Sequence, residues 1–206
     1  AHRPDPRAID RAAAGHRIVT LDGDMIAPDD LLAKHAAIHE SAASAGLEPP
    51  LVYAYRVDVD EERSAALDAR ALLERGPEAL GLIPAPRDLQ TLHARERRYR
   101  KHLRMRSVGL GPVRLGPLHK PKLLGGHYSC TLDQYLRLNG FDEHYQGWGF
   151  KDDEFAYRAA RLHMPVAVGV RAIPAFHLYH TTRQAETPMR ELPNAKRFAE
   201  RARLPL

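Results

Sequence analysis

Cysteine is almost absent from this chain: Cys130 is the only one among 206 residues. One thiol cannot close an internal disulfide, so a disulfide-stapled scaffold is excluded and a reducing, cytoplasmic compartment is expected. Tryptophan is also single, at Trp148, and aromatics make up 7% of the residues. No apolar run reaches the roughly 20 residues that a bilayer-spanning helix needs, and no signal peptide is visible. Internal repeats are absent. Strong charge bias is missing too, since 31 Lys+Arg against 26 Asp+Glu leave +5. That excess suits a phosphate-bearing ligand or a peripheral contact with an anionic membrane, and does not by itself define a nucleic-acid-binding protein. The one dense basic segment, Arg95 to Arg106, interleaves only Tyr99 among its cations and reads as a solvated helix face. What is left is ordinary for one globular domain: 44% hydrophobic and 28% charged residues. The lean toward Ala, Arg and Pro fits a GC-rich bacterial source.

Hydrophobic periodicity and breakers predict helices over 5–14, from Pro28-Asp29-Asp30 to Ala45, and over 60–75, 86–105, 131–138, 152–162 and 193–203. Strands are expected over 18–21, 51–57, 123–129, 166–170 and 172–178. Residues 107–122 carry too many Gly and Pro for regular structure. Strands alternating with helices define an α/β domain.

Three constellations carry chemistry. The first is Asp22-Gly23-Asp24, two carboxylates one residue apart at the end of the apolar strand Ile18-Val19-Thr20-Leu21. Ligands of α/β sheets bind in that region, and such a pair can hold a divalent cation, which in turn holds a diphosphate. The competing reading is a polar turn with an Asx cap. A second Asp-x-Asp, Asp58-Val59-Asp60, precedes the exposed start Glu61-Glu62-Arg63, so both aspartates read as helix caps. The second constellation is His177-Leu178-Tyr179-His180 after an apolar strand; imidazoles join carboxylates around Mn²⁺-type metals, though a solvent-facing pair is the plainer reading. The third is Gly147-Trp148-Gly149 running into Lys151-Asp152-Asp153-Glu154. A large aromatic on a glycine turn can stack on a sugar, and a carboxylate at a helix start can act as a general base. An acidic helix cap with a core Trp is the alternative. His35 and His39, at i and i+4, lack the Glu of a zincin motif and read as surface or packing residues.

Taken in order, Leu21-Asp22-Gly23-Asp24-Met25-Ile26, Leu124-Gly125-Gly126-His127-Tyr128-Ser129, Asn139-Gly140-Phe141-Asp142-Glu143, Gly147-Trp148-Gly149, Asp152-Asp153-Glu154 and His177-Leu178-Tyr179-His180 resemble a GT-A glycosyltransferase of the family 2 type. The middle blocks are similar to β-1,4-galactosyltransferases, polypeptide N-acetylgalactosaminyltransferases and chondroitin polymerases. The resemblance covers mainly 17–32 and 122–182. It implies the GT-A (nucleotide-diphospho-sugar transferase) fold, a mixed α/β sheet flanked by helices. Residues 1–206 then form a single partial catalytic domain, with 58–121 as a helical and loop insertion.

The resemblance also implies roles. Asp24 is the implied direct ligand of Mn²⁺ or Mg²⁺, with His177 or His180 as the late ligand. Asp22, Gly125 and Gly126 contact the donor, Trp148 sits at the donor–acceptor junction, Asp152 is the catalytic base and Asp153 touches the acceptor. The implied reaction moves a sugar from a nucleotide-diphosphate sugar, a UDP-sugar, to a hydroxyl of a glycan, lipid-linked or small-molecule acceptor, with inversion. A non-catalytic nucleotide- or carbohydrate-binding remnant of the same fold is the alternative. Two departures stand out. Lys151 replaces the Glu that usually precedes the base, and its charge is expected to lower the pKa of Asp152. Only about 16 residues precede the Asp-x-Asp strand, so the amino-terminal half that carries the nucleotide base pocket is expected to be missing.

Overall fold

A computed structural model describes residues 16–107, 126–147, 149–181, 188 and 191–201. The predicted helix 5–14, most of the Gly/Pro-rich segment, Gly125 and Trp148 lie outside these residues. The strands are β1 (Arg17–Leu21), β2 (Met25–Ile26), β3 (Leu51–Tyr53), β4 (Tyr55–Asp58), β5 (His127–Thr131), β6 (Val166–Val168) and β7 (Pro174–His177). The helices are α1 (Leu31–Ser44), α2 (Glu61–Ala65), α3 (Ala69–Arg75), α4 (Pro86–Ser107), α5 (Leu132–Arg137), α6 (Lys151–Arg161) and α7 (Pro193–Arg201). The strands form two sheets, ordered β1-β5-β3-β6 and β2-β7-β4. In the first, β5 runs antiparallel to β1 and β3, while β3 and β6 are parallel. In the second, β7 is antiparallel to β2 and parallel to β4. This is the mixed α/β architecture that the alternation of elements predicts.

The stretch Leu51–Val57 explains how the sheets divide the core. Side chains of a strand alternate between faces. Leu51, Tyr53, Tyr55 and Val57 join one buried cluster with Leu92 and Tyr99 of α4. Val52 and Ala54 join the other, with Leu31 of α1, Ile173 and Ala175. One strand was expected here. The chain instead changes partners at Ala54, whose N–H donates to the carbonyl of His127 (3.2 Å), and β4 continues into the second sheet. Burial on both faces accounts for the unbroken apolar run Leu51–Tyr55.

The expected helix 60–75 is two helices. Asp68 adopts an extended conformation and its carboxylate accepts from the N–H of Ala71 (2.7 Å), so a cap restarts the helix after Ala66-Leu67. The gain from that cap, about 1 kcal/mol, and the packing of Leu67 on the core outweigh helical continuity. Within the predicted insertion, α4 forms a wall of the main core: Leu92 and Tyr99 are buried, and the Tyr99 ring meets Tyr53 edge-on at 6.2 Å.

Helix α6 is placed by aromatic packing. Phe155 is fully buried, with ring centroids 5.1 Å from Phe141 and 5.4 Å from Tyr128. Burying such a ring contributes about 2–3 kcal/mol. It ties β5, the loop after α5 and α6 into one unit. On its other side α6 offers Tyr157 to Phe198 of α7, which also packs on Phe150.

Candidate active site

Asp22-Gly23-Asp24 forms the turn between β1 and β2, where the chain passes from one sheet to the other. The register Met25↔His177 sets this turn beside the end of β7. Three backbone bonds then hold the segment after β7. Leu178 N–H donates to the carbonyl of Asp24 (2.9 Å), Val59 N–H to that of His177 (2.8 Å), and Tyr179 N–H to Ser64 Oγ (2.9 Å). As a result both imidazoles meet one carboxylate. His180 Nε2 lies 3.0 Å and His177 Nε2 3.4 Å from Asp24 Oδ2. The three ligand atoms fall within 4.8 Å of one another. Among the described residues this is the one cluster with metal-ligand geometry.

Asp24 Oδ1 is buried and has no hydrogen-bond partner among the described residues. Buried carboxylate oxygens are almost always satisfied, so an orphan beside two imidazoles fits a cation as its missing partner. One carboxylate with two imidazoles suits Mn²⁺-type metals. The sequence left His177 and His180 as alternatives; the structure brings both to Asp24.

The Asp22 carboxylate lies against Gly126. The Asp22 N–H donates to the carbonyl of Gly126 (2.9 Å), and a Cβ added to Gly126 would strike the Asp22 carboxylate. A side chain at 126 would therefore displace the Asp22 carboxylate from its place. Asp152 and Asp153, in the first turn of α6, are half-buried. Burial pushes the Asp152 carboxyl up to about 6, helped by the charges of Asp22 and Asp153. Lys151 acts in the expected direction, downward, but burial and the neighbouring acids outweigh it. The expected lowering of Asp152 is thus corrected: desolvation decides the sign.

The loop before α6 is strained and clamped. Gly149 has φ 91° and Phe150 has φ 68°, a left-handed conformation that a non-glycine residue holds only when its surroundings impose it. Helix α7 supplies those surroundings. Asn194 Nδ2 donates to the carbonyls of Gln146 (2.9 Å) and Gly149 (3.0 Å), bracketing position 148. Arg197 reaches Asp142 at 2.8 Å and stacks 5.4 Å from the Tyr145 ring centre. A second clamp comes from α6 itself. Glu154 reads as one more acid of the cluster in sequence, yet it is buried and holds Arg158 through both oxygens, at 2.7 and 2.9 Å from Nε. Arg158 then donates to the carbonyls of Leu138 and Gly140, the unsatisfied end of α5. Sequence reasoning missed Asn194, Arg197 and Arg158. The i, i+4 Glu154–Arg158 spacing was the available signal for the last.

His35 and His39 are buried packing residues behind the turn, in a polar chain with Ser129 and His127. His127 Nδ1–H must donate to the carbonyl of Tyr55 (3.0 Å), so its Nε2 accepts from His35 Nε2 (3.0 Å). His35 Nδ1 then accepts from Ser129 Oγ (2.8 Å), which itself accepts from His39 Nε2 (2.9 Å). Each ring is neutral in this chain, and His39 Nδ1 is left as a buried acceptor without a partner among the described residues. Burial pushes His35 down to about 3, reinforced by His127 and His39, and lowers His39 and His127 as well. Unfolded histidines bind protons near 6.5, whereas these folded rings resist them. Their stabilisation is therefore complete above pH 6.5 and is lost as pH falls toward 3. For His35 alone this amounts to on the order of 4 kcal/mol. Urea unfolding should show stability dropping from pH 7 to pH 4, while the His35 imidazole NMR shift stays flat from pH 8 to 5. A His35 shift titrating near 6.5 would refute the neutral chain.

A mixed sheet flanked by helices, with an acidic turn at a strand end facing late histidines, fits a GT-A-like glycosyltransferase domain. Residues 114–181 match the family described as the N-terminal domain of galactosyltransferase. Human beta-1,4-galactosyltransferase 3 is 43% identical over 47 residues, covering 23% of this chain and 12% of that protein. The xylosylprotein 4-beta-galactosyltransferase of Caenorhabditis elegans is 48% identical over 40 residues, covering 19% of this chain and 14% of its own length. The chain thus matches only a small part of the curated relatives. Together the matches support a glycosyltransferase of galactosyltransferase affinity. Both relatives are animal proteins, which lends nothing to the compositional reading of a bacterial source.

Proposed function

We propose that this chain is the catalytic part of a glycosyltransferase that moves a sugar from a UDP-sugar to a hydroxyl of a glycan acceptor. The observation that carries this reading is the convergence of His177 and His180 on Asp24 Oδ2, while the second oxygen of that carboxylate, Oδ1, is buried without a partner among the described residues. Asp152, half-buried in the first turn of α6, is coupled in charge to Asp22 of the turn that carries Asp24. A divalent cation, Mn²⁺ or Mg²⁺, held by Asp24, His177 and His180 would supply positive charge to the leaving diphosphate. Asp152, ionised, accepts the proton of the acceptor hydroxyl as that oxygen attacks the anomeric carbon. The bond from that carbon to the diphosphate oxygen breaks, and direct displacement inverts the centre. Gly126 leaves the Asp22 carboxylate its space, and Asn194 of α7 holds the backbone at Gln146 and Gly149 that leads into α6.

Among the described residues no helix is long and apolar enough to cross a membrane. The exposed basic face of α4 is the surface we assign to peripheral contact with anionic lipid, and a cytoplasmic setting agrees with the single buried thiol. The test is transfer from a panel of radiolabelled UDP-sugars to glycan, lipid-linked and small hydroxyl acceptors in Mn²⁺. Turnover with one donor supports the reading; nucleotide binding without turnover on any acceptor supports the non-catalytic alternative.

A further inference from the structure

The second Asp-x-Asp reads as a pair of caps in sequence, and the structure splits it. Asp60 does cap α2, accepting from the N–H of Arg63 (2.8 Å). Asp58 does not. It is the last residue of β4, directly opposite His177 in the parallel register with β7. Its Oδ1 lies 3.3 Å from His177 Nδ1 and 3.2 Å from Arg56 Nε. The His177 side chain is only 11% exposed, so its ring is confined between Asp58 on one nitrogen and Asp24 on the other. The next residue, Val59, donates its N–H to the His177 carbonyl, which fixes the backbone on which this contact stands.

We infer that Asp58 is a positioning residue for the metal site, holding His177 as the tautomer whose Nε2 lone pair faces Asp24. The inference rests on the metal reading of Asp24, His177 and His180. A neutral imidazole carries one proton. Placed on Nε2, that proton would be donated to Asp24 Oδ2, and an internal hydrogen bond would occupy the ligand site. Placed on Nδ1, it is donated to Asp58, and Nε2 is left free to bind. Asp58 selects the second state and removes the internal competitor. Carboxylates that orient ligating histidines in this way typically contribute 10- to 100-fold in metal affinity. Arg56 Nε holds the same Oδ1 at 3.2 Å, so the carboxylate need not be buried to be directed.

The experiment titrates Mn²⁺ alone into the whole chain, following free Mn²⁺ by electron paramagnetic resonance, and compares wild type with Asp24→Ala, Asp58→Ala and Asp58→Asn. Wild-type binding lost in Asp24→Ala establishes the site; no binding by the folded wild type overturns both the metal reading and this inference. With the site established, Asp58→Ala should bind about tenfold more weakly and Asp58→Asn by an intermediate amount. Melting temperatures should stay unchanged. Metal-free ¹⁵N-imidazole spectra give the second readout. His177 should carry its proton on Nδ1 in wild type and on Nε2 in Asp58→Ala. Wild-type affinity in both Asp58 variants, or an Nε2–H tautomer in wild type, overturns the role of Asp58 while leaving the metal site standing.

Discussion

Asp152→Asn is expected to lower sugar transfer by a factor of about 10²–10⁴ and at the same time to stabilise the protein at pH 8. Both effects come from one fact: burial, with Asp22 and Asp153 beside it, pushes this carboxyl up to about 6. A base with that pKa takes a proton better than an ordinary aspartate and is still ionised at neutral pH, so transfer should rise as pH increases through about 6. The stability sign is opposite. Between the unfolded value near 3.9 and the folded value near 6, the folded state binds the extra proton, so stability falls as pH rises through that window. Above it, keeping the carboxylate ionised costs on the order of 2 kcal/mol, which the amide avoids. The checks are kcat against pH and thermal melts at pH 5 and pH 8 for both forms of the metal-free chain. Retained turnover in Asp152→Asn would remove it as the base. A variant that is less stable at pH 8 would show that Asp152 is held by favourable partners rather than by desolvation.

Arg158→Ala is expected to cost about 3–5 kcal/mol, the usual penalty for leaving one partner of a buried ion pair uncompensated. Glu154 is 2% exposed and would be left without its ion-pair partner. The carbonyls of Leu138 and Gly140 would lose their donor in the same substitution. Replacing both Glu154 and Arg158 by Leu removes the orphaned charge but leaves those carbonyls unsatisfied, so it should recover only part of the loss. Urea unfolding at pH 7 measures all three. A change below 1 kcal/mol in Arg158→Ala would mean that the pair is solvated and that α6 is held by its aromatic contacts through Phe155 and Tyr157.

Much of this arrangement is legible in the residues because it is local. Apolar runs ending in Asp22-Gly23-Asp24 and Phe176-His177 mark strand ends, and strand ends in α/β sheets are where ligands bind. The register Met25↔His177, which brings Asp24 to both histidines, is a pairing between residues 152 positions apart that no local pattern encodes. For the same reason Asp58 read as a cap: its partner on β7 is invisible until β4 and β7 are set side by side. The break at Asp68 was missed because a cap inside an amphipathic run competes with helix propensity by only about 1 kcal/mol, and tertiary packing of Leu67 decides it. Lys151 misled for an electrostatic reason: an adjacent charge is obvious in sequence, whereas desolvation depends on what covers the side chain. His35 and His39 were read as surface or packing residues, and only the long-range contact with Ser129 and His127 shows that they form a neutral interior chain.

Calorimetric titration of UDP into this chain, with and without Mn²⁺, for the wild type and Asp24→Ala, addresses the central claim most directly. The account predicts UDP binding that requires Mn²⁺ and disappears in Asp24→Ala. Binding that ignores the metal or survives in Asp24→Ala, or no binding by a chain shown to be folded, would contradict a diphosphate site built on Asp24, His177 and His180.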